Sequence, residues 1–169
     1  MKNLIVVFSV LYALMSSAIA SNYNYATGFA AINEMSSKAL INAMERVDDR
    51  IYAVGEHGII IYSDDLGDNW TQSESVPFTN TLTDIDCISK KECWATGHDA
   101  TILHSNDSGK SWIKQYEDID FDAPLLSIHM YDDGEGIAIG AFALSLRTTD
   151  GGQTWGYLFM DDDDFQPHF

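Results

Sequence analysis

Apolar residues along this chain fall in short runs of four or five, cut by polar turns, and the runs return at a fixed interval. "IYAVG" at 51–55, "CWATG" at 93–97 and "GIAIG" at 136–140 each end in a glycine: Gly55, Gly97 and Gly140. A short link and a second apolar run follow each glycine, "IIIY", "TILH" and "LSLR". Upstream stand "LINAMERV", "LTDIDCIS" and "LLSIHMYD", which mix apolar and polar positions and end at turns rich in Asp, Lys, Gly and Glu. A fourth run, "TQSE", "IKQY" or "GYLF", closes each unit. Runs this short, bounded by turn residues, predict strands rather than helices.

The last two runs of each unit are joined by a recurring polar turn: "SDDLGDNW" at 63–70, "SNDSGKSW" at 105–112 and "TTDGGQTW" at 148–155. Asp65, Asp107 and Asp150 align at spacings of 42 and 43 residues, each ten residues after its repeat glycine. An aspartate placed this way accepts local backbone N–H groups, and Ser63, Ser105 and Thr148 add a second local bond. Gly67, Gly109 and Gly152 permit φ > 0, which a side chain resists. Trp70, Trp112 and Trp155 bring large rings that can pack on a neighbouring sheet. One such turn is a weak signal, but three in register mark a structural repeat.

Four short strands in 42 or 43 residues is the size of one β-propeller blade. The expected fold is therefore all-β, with blades at about 38–76, 77–119 and 120–162 and strands A to D running from the central axis outwards. One further period carries Leu125 to position 168, so residues 165–169 are expected to open a fourth blade. Closed propellers have 4–8 blades, and three blades leave two sheet faces unpaired. The expectation is one part of a larger propeller, with a half-propeller that self-associates as the alternative.

The pattern S/T-x-D-x-G-x-T/S-W resembles the Asp-box, also called the bacterial neuraminidase repeat. Asn69 stands where Thr or Ser is usual, and the third turn opens with Thr148. The wider frame "CWATGHDATILHSNDSGKSW" is similar to the photosystem II stability/assembly factor family and its relatives in non-photosynthetic bacteria. The resemblance extends over about residues 26–169. It implies a non-enzymatic propeller outside the cytoplasm that holds a membrane or exported protein partner during assembly. Sialidases also carry Asp-boxes, so a glycoside hydrolase or a carbohydrate-binding propeller is the alternative. A sialidase presents an arginine triad to its substrate's carboxylate. The arginines here are Arg46 and Arg50, around one A–B turn, and Arg147, beside an Asp-box. They are not expected to converge.

The first twenty residues change the picture of location. "MKN" carries one positive charge, "LIVVFSVLYALM" is an apolar stretch of twelve, and "SSAIA" ends in small residues. This order predicts a secretory signal peptide over 1–20, cleaved before Ser21. The apolar run falls short of the roughly 20 residues a spanning helix needs, and no transmembrane segment is expected in the mature chain. The net charge is −17, or −18 once Lys2 leaves with the leader. Such a surface repels nucleic acid and suits solubility or a basic partner. Cys87 and Cys93, the only cysteines, flank the turn "ISKKE". An exported chain favours a disulfide between them, with two buried free thiols as the alternative.

No metal or cofactor is expected. The five histidines form no ligand signature, and His104 and His129 fall in strand registers. The run Asp161–Asp164 lacks the glycine-punctuated spacing of a calcium loop and reads as a solvated connection. The candidate binding residues are Glu56, His57, His98, Asp99 and Phe142, each just after a repeat glycine on the B–C loop. In a propeller those loops share one end with the D–A connections, opposite the Asp-boxes. The residues there differ between repeats while the flanking glycines do not, which leaves them open to specialisation.

Overall fold

The computed structural model describes residues 28–121 and 123–158. The predicted signal peptide, its cleavage before Ser21, the Asp161–Asp164 run and the expected start of a fourth blade lie outside these residues. The described chain forms three four-stranded antiparallel sheets. The first holds β1 (Ile41–Val47), β2 (Arg50–Gly55), β3 (Ile60–Ser63) and β4 (Thr71–Gln72). The second holds β5 (Leu82–Cys87), β6 (Cys93–Gly97), β7 (Ile102–Ser105) and β8 (Ile113–Tyr116). The third holds β9 (Leu125–Met130), β10 (Gly136–Gly140), β11 (Ser145–Thr148) and β12 (Gly156–Tyr157). Strands pair in chain order within each sheet, and the innermost strands β1, β5 and β9 lie side by side. This is the predicted blade, three times over.

The period of two along each strand sends alternate side chains to opposite faces, so each sheet feeds two cores. Tyr52, Val54, Ile60 and Tyr62 of blade one meet Leu82, Ile85, Leu103 and Trp112 of blade two. Trp94 and Ile102, on the other face of blade two, meet Leu125, Ile128, Ala138 and Leu146 of blade three. The fold is thus held by two sheet-on-sheet cores.

The repeat glycines have a reason that spacing alone did not reveal. A Cβ on Gly55 would stand 2.0 Å from the carbonyl oxygen of Leu40; on Gly97, 2.5 Å from that of Thr81; on Gly140, 2.4 Å from that of Pro124. Each carbonyl accepts the N–H that follows its glycine: Glu56 (3.1 Å), His98 (3.0 Å) and Ala141 (3.0 Å). Strand B must press against the residue that leads into strand A, and only glycine fits.

The Asp-box bonds form as the residue types predict. In the second turn Ser105 Oγ donates to Asp107 Oδ1 (2.9 Å) and accepts from the Gly109 N–H (3.0 Å). The Ser111 N–H donates to Asp107 Oδ1 (2.9 Å) and its hydroxyl to Oδ2 (2.6 Å). Thr154 repeats both bonds to Asp150. Asn69, the departure in the first turn, reproduces them with its own N–H and its side-chain amide (2.8 and 2.6 Å). Gly67, Gly109 and Gly152 all take positive φ. Gly109 and Gly152 serve a second purpose, because each is where a ring or polar group of the preceding blade rests. A Cβ at Gly109 would meet Tyr52, and one at Gly152 would meet Gln115 and Trp94.

The two unpaired faces expected from three blades are not alike. The outer face of blade one buries Ala53, Ile59 and Ile61 beneath Ala39, Ile41 and Trp70, leaving Met44 exposed nearer the axis. The outer face of blade three leaves Leu126 and Ile139 half exposed, at 53% and 51%.

Candidate functional site

The B–C loops are type I′ hairpin turns in all three blades. His57, Asp99 and Phe142 occupy equivalent positions with φ of +57, +56 and +55°. Gly58, Ala100 and Ala143 follow, also at positive φ. A type I′ turn matches the right-handed twist of its strands but normally recruits Asn, Asp or Gly. Histidine and phenylalanine at such φ are strained by about 1 kcal/mol or more. The same backbone is therefore repeated three times with a different side chain at its tip.

These turns gather at one end of the molecule with the D–A connections, as expected. The Gly58 N–H donates to Asn80 O (2.7 Å), Ala100 to Ala123 O (2.8 Å) and Asp118 to Asp99 O (3.1 Å). Asn80 Nδ2 reaches Asp99 Oδ2 at 3.3 Å and links the turns of blades one and two. Glu56 carries a structural bond that its sequence position did not reveal, accepting the Leu40 N–H at Oε1 (3.0 Å). Its Oε2 lies 4.0 Å from His57 Nε2. Phe142 is 83% exposed, the most exposed large apolar residue described. The structure thus brings Glu56, His57, His98 and Asp99 to one end as a polar, acid-rich patch, with Phe142 at the tip of blade three.

The Asp-boxes lie at the opposite end with the A–B turns. The Ser108 N–H donates to Lys91 O (3.2 Å) and the Gly151 N–H to Gly134 O (2.9 Å). Arg50 is nearly buried there. It grips Asp64 through Nε and Nη2 (2.7 and 2.6 Å), donates through Nη1 to Ser108 O, and lies 4.3 Å from the Tyr62 ring centre. Arg46 donates to Asp48 O, and Arg147 pairs with Glu135 at 3.0 Å. Arg46 and Arg50 stay at the A–B turn and Arg147 pairs within blade three, so the three do not form a carboxylate-binding triad. Hydrogen bonds hold the carboxyls of Asp65 and Asp150 below the usual range, chiefly from Asn69 and Thr154. At Asp107 burial opposes this most strongly, yet bonds from Ser111 and Ser105 keep the carboxyl low.

Near the axis the structure shows polar residues that the sequence did not single out. Asp84 Oδ2 accepts Ser127 Oγ (2.8 Å) and the Ile128 N–H (3.0 Å), and Asp86 Oδ2 accepts the Met130 N–H (2.6 Å). Both carboxylates satisfy the free inner edge of β9, where no further strand pairs among the described residues. Partial burial and these two like charges push the carboxyl of Glu45 up. His129 stands beside Asp86 at 3.4 Å and edge-on to Tyr131, while His104 stacks on Trp94 and meets Glu92 at 3.0 Å. The strand register carries the signal that was available: Glu45, Asp86 and His129 occupy equivalent rungs of β1, β5 and β9. No group of residues suited to a metal occurs among the described residues. Cys87 and Cys93 face each other across β5 and β6 and form the disulfide.

Comparison with known proteins agrees with this architecture. A solved structure of YCF48 bound to D1 peptide superposes with a TM-score of 0.60 at 23% identity, covering 70% of this chain and 40% of that one. YCF48 from Cyanidioschyzon merolae gives 0.59 at 18% identity, covering 71% and 37%. The chain therefore spans about 40% of the length of these structures, and the likeness establishes a shared propeller fold. A search of curated proteins finds no match. Residues 72–163, more than half the chain, match the family model described as photosynthesis system II assembly factor YCF48, and the chain belongs to that family.

Proposed function

We propose that this chain is an exported, non-enzymatic binding propeller that holds a protein partner during assembly, with the B–C turns and D–A connections as its working face. One observation carries this reading. The turns keep one strained backbone and change the side chain at its tip, as a scaffold presenting variable contacts does. The partner would be a membrane or exported protein; a solved structure of YCF48 bound to D1 peptide supports a protein partner. Acidic Glu56 and Asp99 favour a basic segment, and Phe142 offers an apolar anchor. The leader expected from the sequence and the disulfide are in favour of export. The arginines stand apart, which weighs against the sialidase alternative, and a carbohydrate-binding role has no observation in its favour beyond exposed Phe142.

Photocrosslinking in the native host tests the face. A crosslinking residue at Phe142 should capture a discrete exported or membrane protein. The same residue at Leu66, exposed on an Asp-box turn at the other end, should not. Equal capture from both positions, or capture from Leu66 alone, rejects the assignment.

A further inference from the structure

The disulfide sits on a turn that fastens blade two to blade one. Cys87 ends β5 and Cys93 opens β6, so the crosslink clamps the neck of the A–B turn, residues 88–92. That turn reaches out in three directions. Lys90 O accepts the Tyr52 hydroxyl of blade one. Lys90 Nζ pairs with Asp49 (2.8 Å) on the A–B turn of blade one and with Asp64 (3.3 Å) beside its Asp-box. Lys91 O accepts the Ser108 N–H of the second Asp-box (3.2 Å). Arg50 closes the circuit, because it grips Asp64 and also donates to Ser108 O. The sulfurs share this location: Cys93 is fully buried in the core between blades one and two, and partly buried Cys87 packs against it.

Blade three supplies the comparison. Its A–B turn, residues 131–135, has the same length and the same bond to its Asp-box, from the Gly151 N–H to Gly134 O (2.9 Å). The places of Cys87 and Cys93 hold Met130 and Gly136. The place of Lys90 holds Asp133, which turns back to accept the Glu135 N–H (3.1 Å). The place of Tyr52 holds Trp94 on blade two, and its indole N–H goes to Gln115 (2.9 Å) and not to the turn. Among the described residues, the crosslink and the turn's bonds to the preceding blade therefore occur together at blade two and are missing together at blade three.

The turn has little else to hold its shape. Residues 88–92 read Ile-Ser-Lys-Lys-Glu, with no Gly, Pro, Asn or Asp to fix a bend. Ser89 and Glu92 exchange backbone bonds at 3.5 and 3.2 Å, and Ser89 Oγ accepts the Lys91 and Glu92 N–H groups at 3.3 and 3.2 Å. These bonds are long, and the crosslink removes much of the freedom that they must otherwise restrain.

We propose that the Cys87–Cys93 disulfide is a redox-controlled latch. Oxidised, it holds the turn in the shape that clasps blade one; reduced, it lets the turn disengage while the strands stay paired. The co-reactant is a dithiol. Its thiolate attacks Cys87 Sγ, the less buried sulfur, the S–S bond breaks, and Cys93 leaves as a thiolate that takes up a proton. The second thiol of the reductant then displaces Cys87 from the mixed disulfide. The pair gains two electrons and two protons, and the reductant ends as a disulfide. Once the turn moves, the Tyr52 hydroxyl loses its acceptor and Asp49 its ion pair. The junction of blades one and two softens at its Asp-box end, and the junction of blades two and three, which lacks these contacts, does not.

Hydrogen exchange of the full chain, read at single amides by NMR with and without dithiothreitol, tests the latch. Reduction should speed exchange of the Ser108 amide at least tenfold and that of the equivalent Gly151 amide less than twofold. Cys87→Ser with Cys93→Ala should reproduce this pattern without reductant. Tyr52→Phe removes the bond to Lys90 O. It should speed Ser108 exchange at least fivefold in the oxidised chain and less than twofold in the reduced one, where that bond is already lost. Lys90→Ala, at a partly exposed position, should give the same contrast through the pairs with Asp49 and Asp64. Equal acceleration at Ser108 and Gly151 would show that the disulfide adds only general stability, and it overturns the latch. So do unchanged exchange at Ser108, a Tyr52→Phe effect of one size in both redox states, and a folded chain whose disulfide the dithiol leaves intact.

Discussion

Adding one methyl group at Gly109 separates the two roles of the Asp-box glycine. Gly109 sits at φ +75°, and its Cβ would stand 2.6 Å from Tyr52 Cε1 and 3.2 Å from Cδ1. Tyr52 is fully buried and its hydroxyl is held by Lys90 O, so the ring cannot swing away. The left-handed backbone costs an alanine about 1 kcal/mol. Overpacking against a fixed ring adds about 1–3 kcal/mol, so Gly109→Ala should lose about 2–4 kcal/mol. Gly67 has the same role in its turn, with φ +96°, but its nearest neighbour is Trp70 at 3.6 Å. Gly67→Ala should therefore lose only the backbone part, about 1 kcal/mol. Gly152→Ala falls between: the closest atom, Gln115 Oε1 at 2.2 Å, ends a flexible side chain, but moving it breaks the bond from Trp94 Nε1. Urea unfolding of the oxidised chain at one fixed concentration, followed by tryptophan fluorescence, measures all three. Equal losses at Gly67 and Gly109 would refute the reasoning and leave turn geometry as the glycine's only purpose.

Three further outcomes are expected. Trp112→Phe should cost about 1–2 kcal/mol, because the indole N–H serves both Ser73 and Gly109 O; Trp155→Phe should cost less than half of that, since the buried Trp155 Nε1 has no partner among the described residues, and thermal melts compare the two. Thiol alkylation without reductant should leave Cys87 and Cys93 unmodified, and reduction should lower stability by about 2 kcal/mol, the value for so short a loop. Asp65, Asp107 and Asp150 all have folded-state values below the ordinary carboxylate range; their contribution is complete above about pH 4 and is lost as pH falls through the lowered values, so an acid titration by circular dichroism should show Asp107→Asn flattening the loss below that pH.

The three four-stranded sheets among the described residues, their strand order and the Asp-box bonds were legible in the sequence because each rests on local chemistry repeated in register. Asp107 and Ser105 find their partners within six residues, so spacing alone predicts the turn. What was not legible depends on neighbours far along the chain. Gly109 answers to Tyr52, 57 positions earlier, and the short contact of Gly97 with Thr81 O belongs to a bulge that no residue type announces. Asp84 and Asp86 looked like ordinary polar positions of a half-buried strand. Their use appears only once β9 is seen to offer unpaired N–H groups to them. The packing of Ala53, Ile59 and Ile61 against Ala39, Ile41 and Trp70 of the same blade was hidden for the same reason.

The proposed partner binding and fold stability would be separable in this chain because the two ends of the blades treat polar groups differently. At the Asp-box end nearly every polar side chain is engaged. Arg50 joins Asp64 to Ser108 O, Lys90 joins Asp49 to Asp64, and the three aspartates hold their own turns. A partner there would have to compete with bonds that hold the blades together, at about 1–3 kcal/mol for each group left unsatisfied. At the other end the structural bonds of the B–C turns run mainly through the backbone, from Gly58 to Asn80 and from Ala100 to Ala123. The side chains of Asp99 and Phe142 are therefore not what holds the turn closed, and they can be exchanged without opening it. Glu56 is the exception, since it supports the Leu40 N–H. Any change there should be judged by stability as well as by binding. A surface for partners is best placed where the backbone carries the structure and the side chains are left to vary, and the proposed B–C face meets that condition.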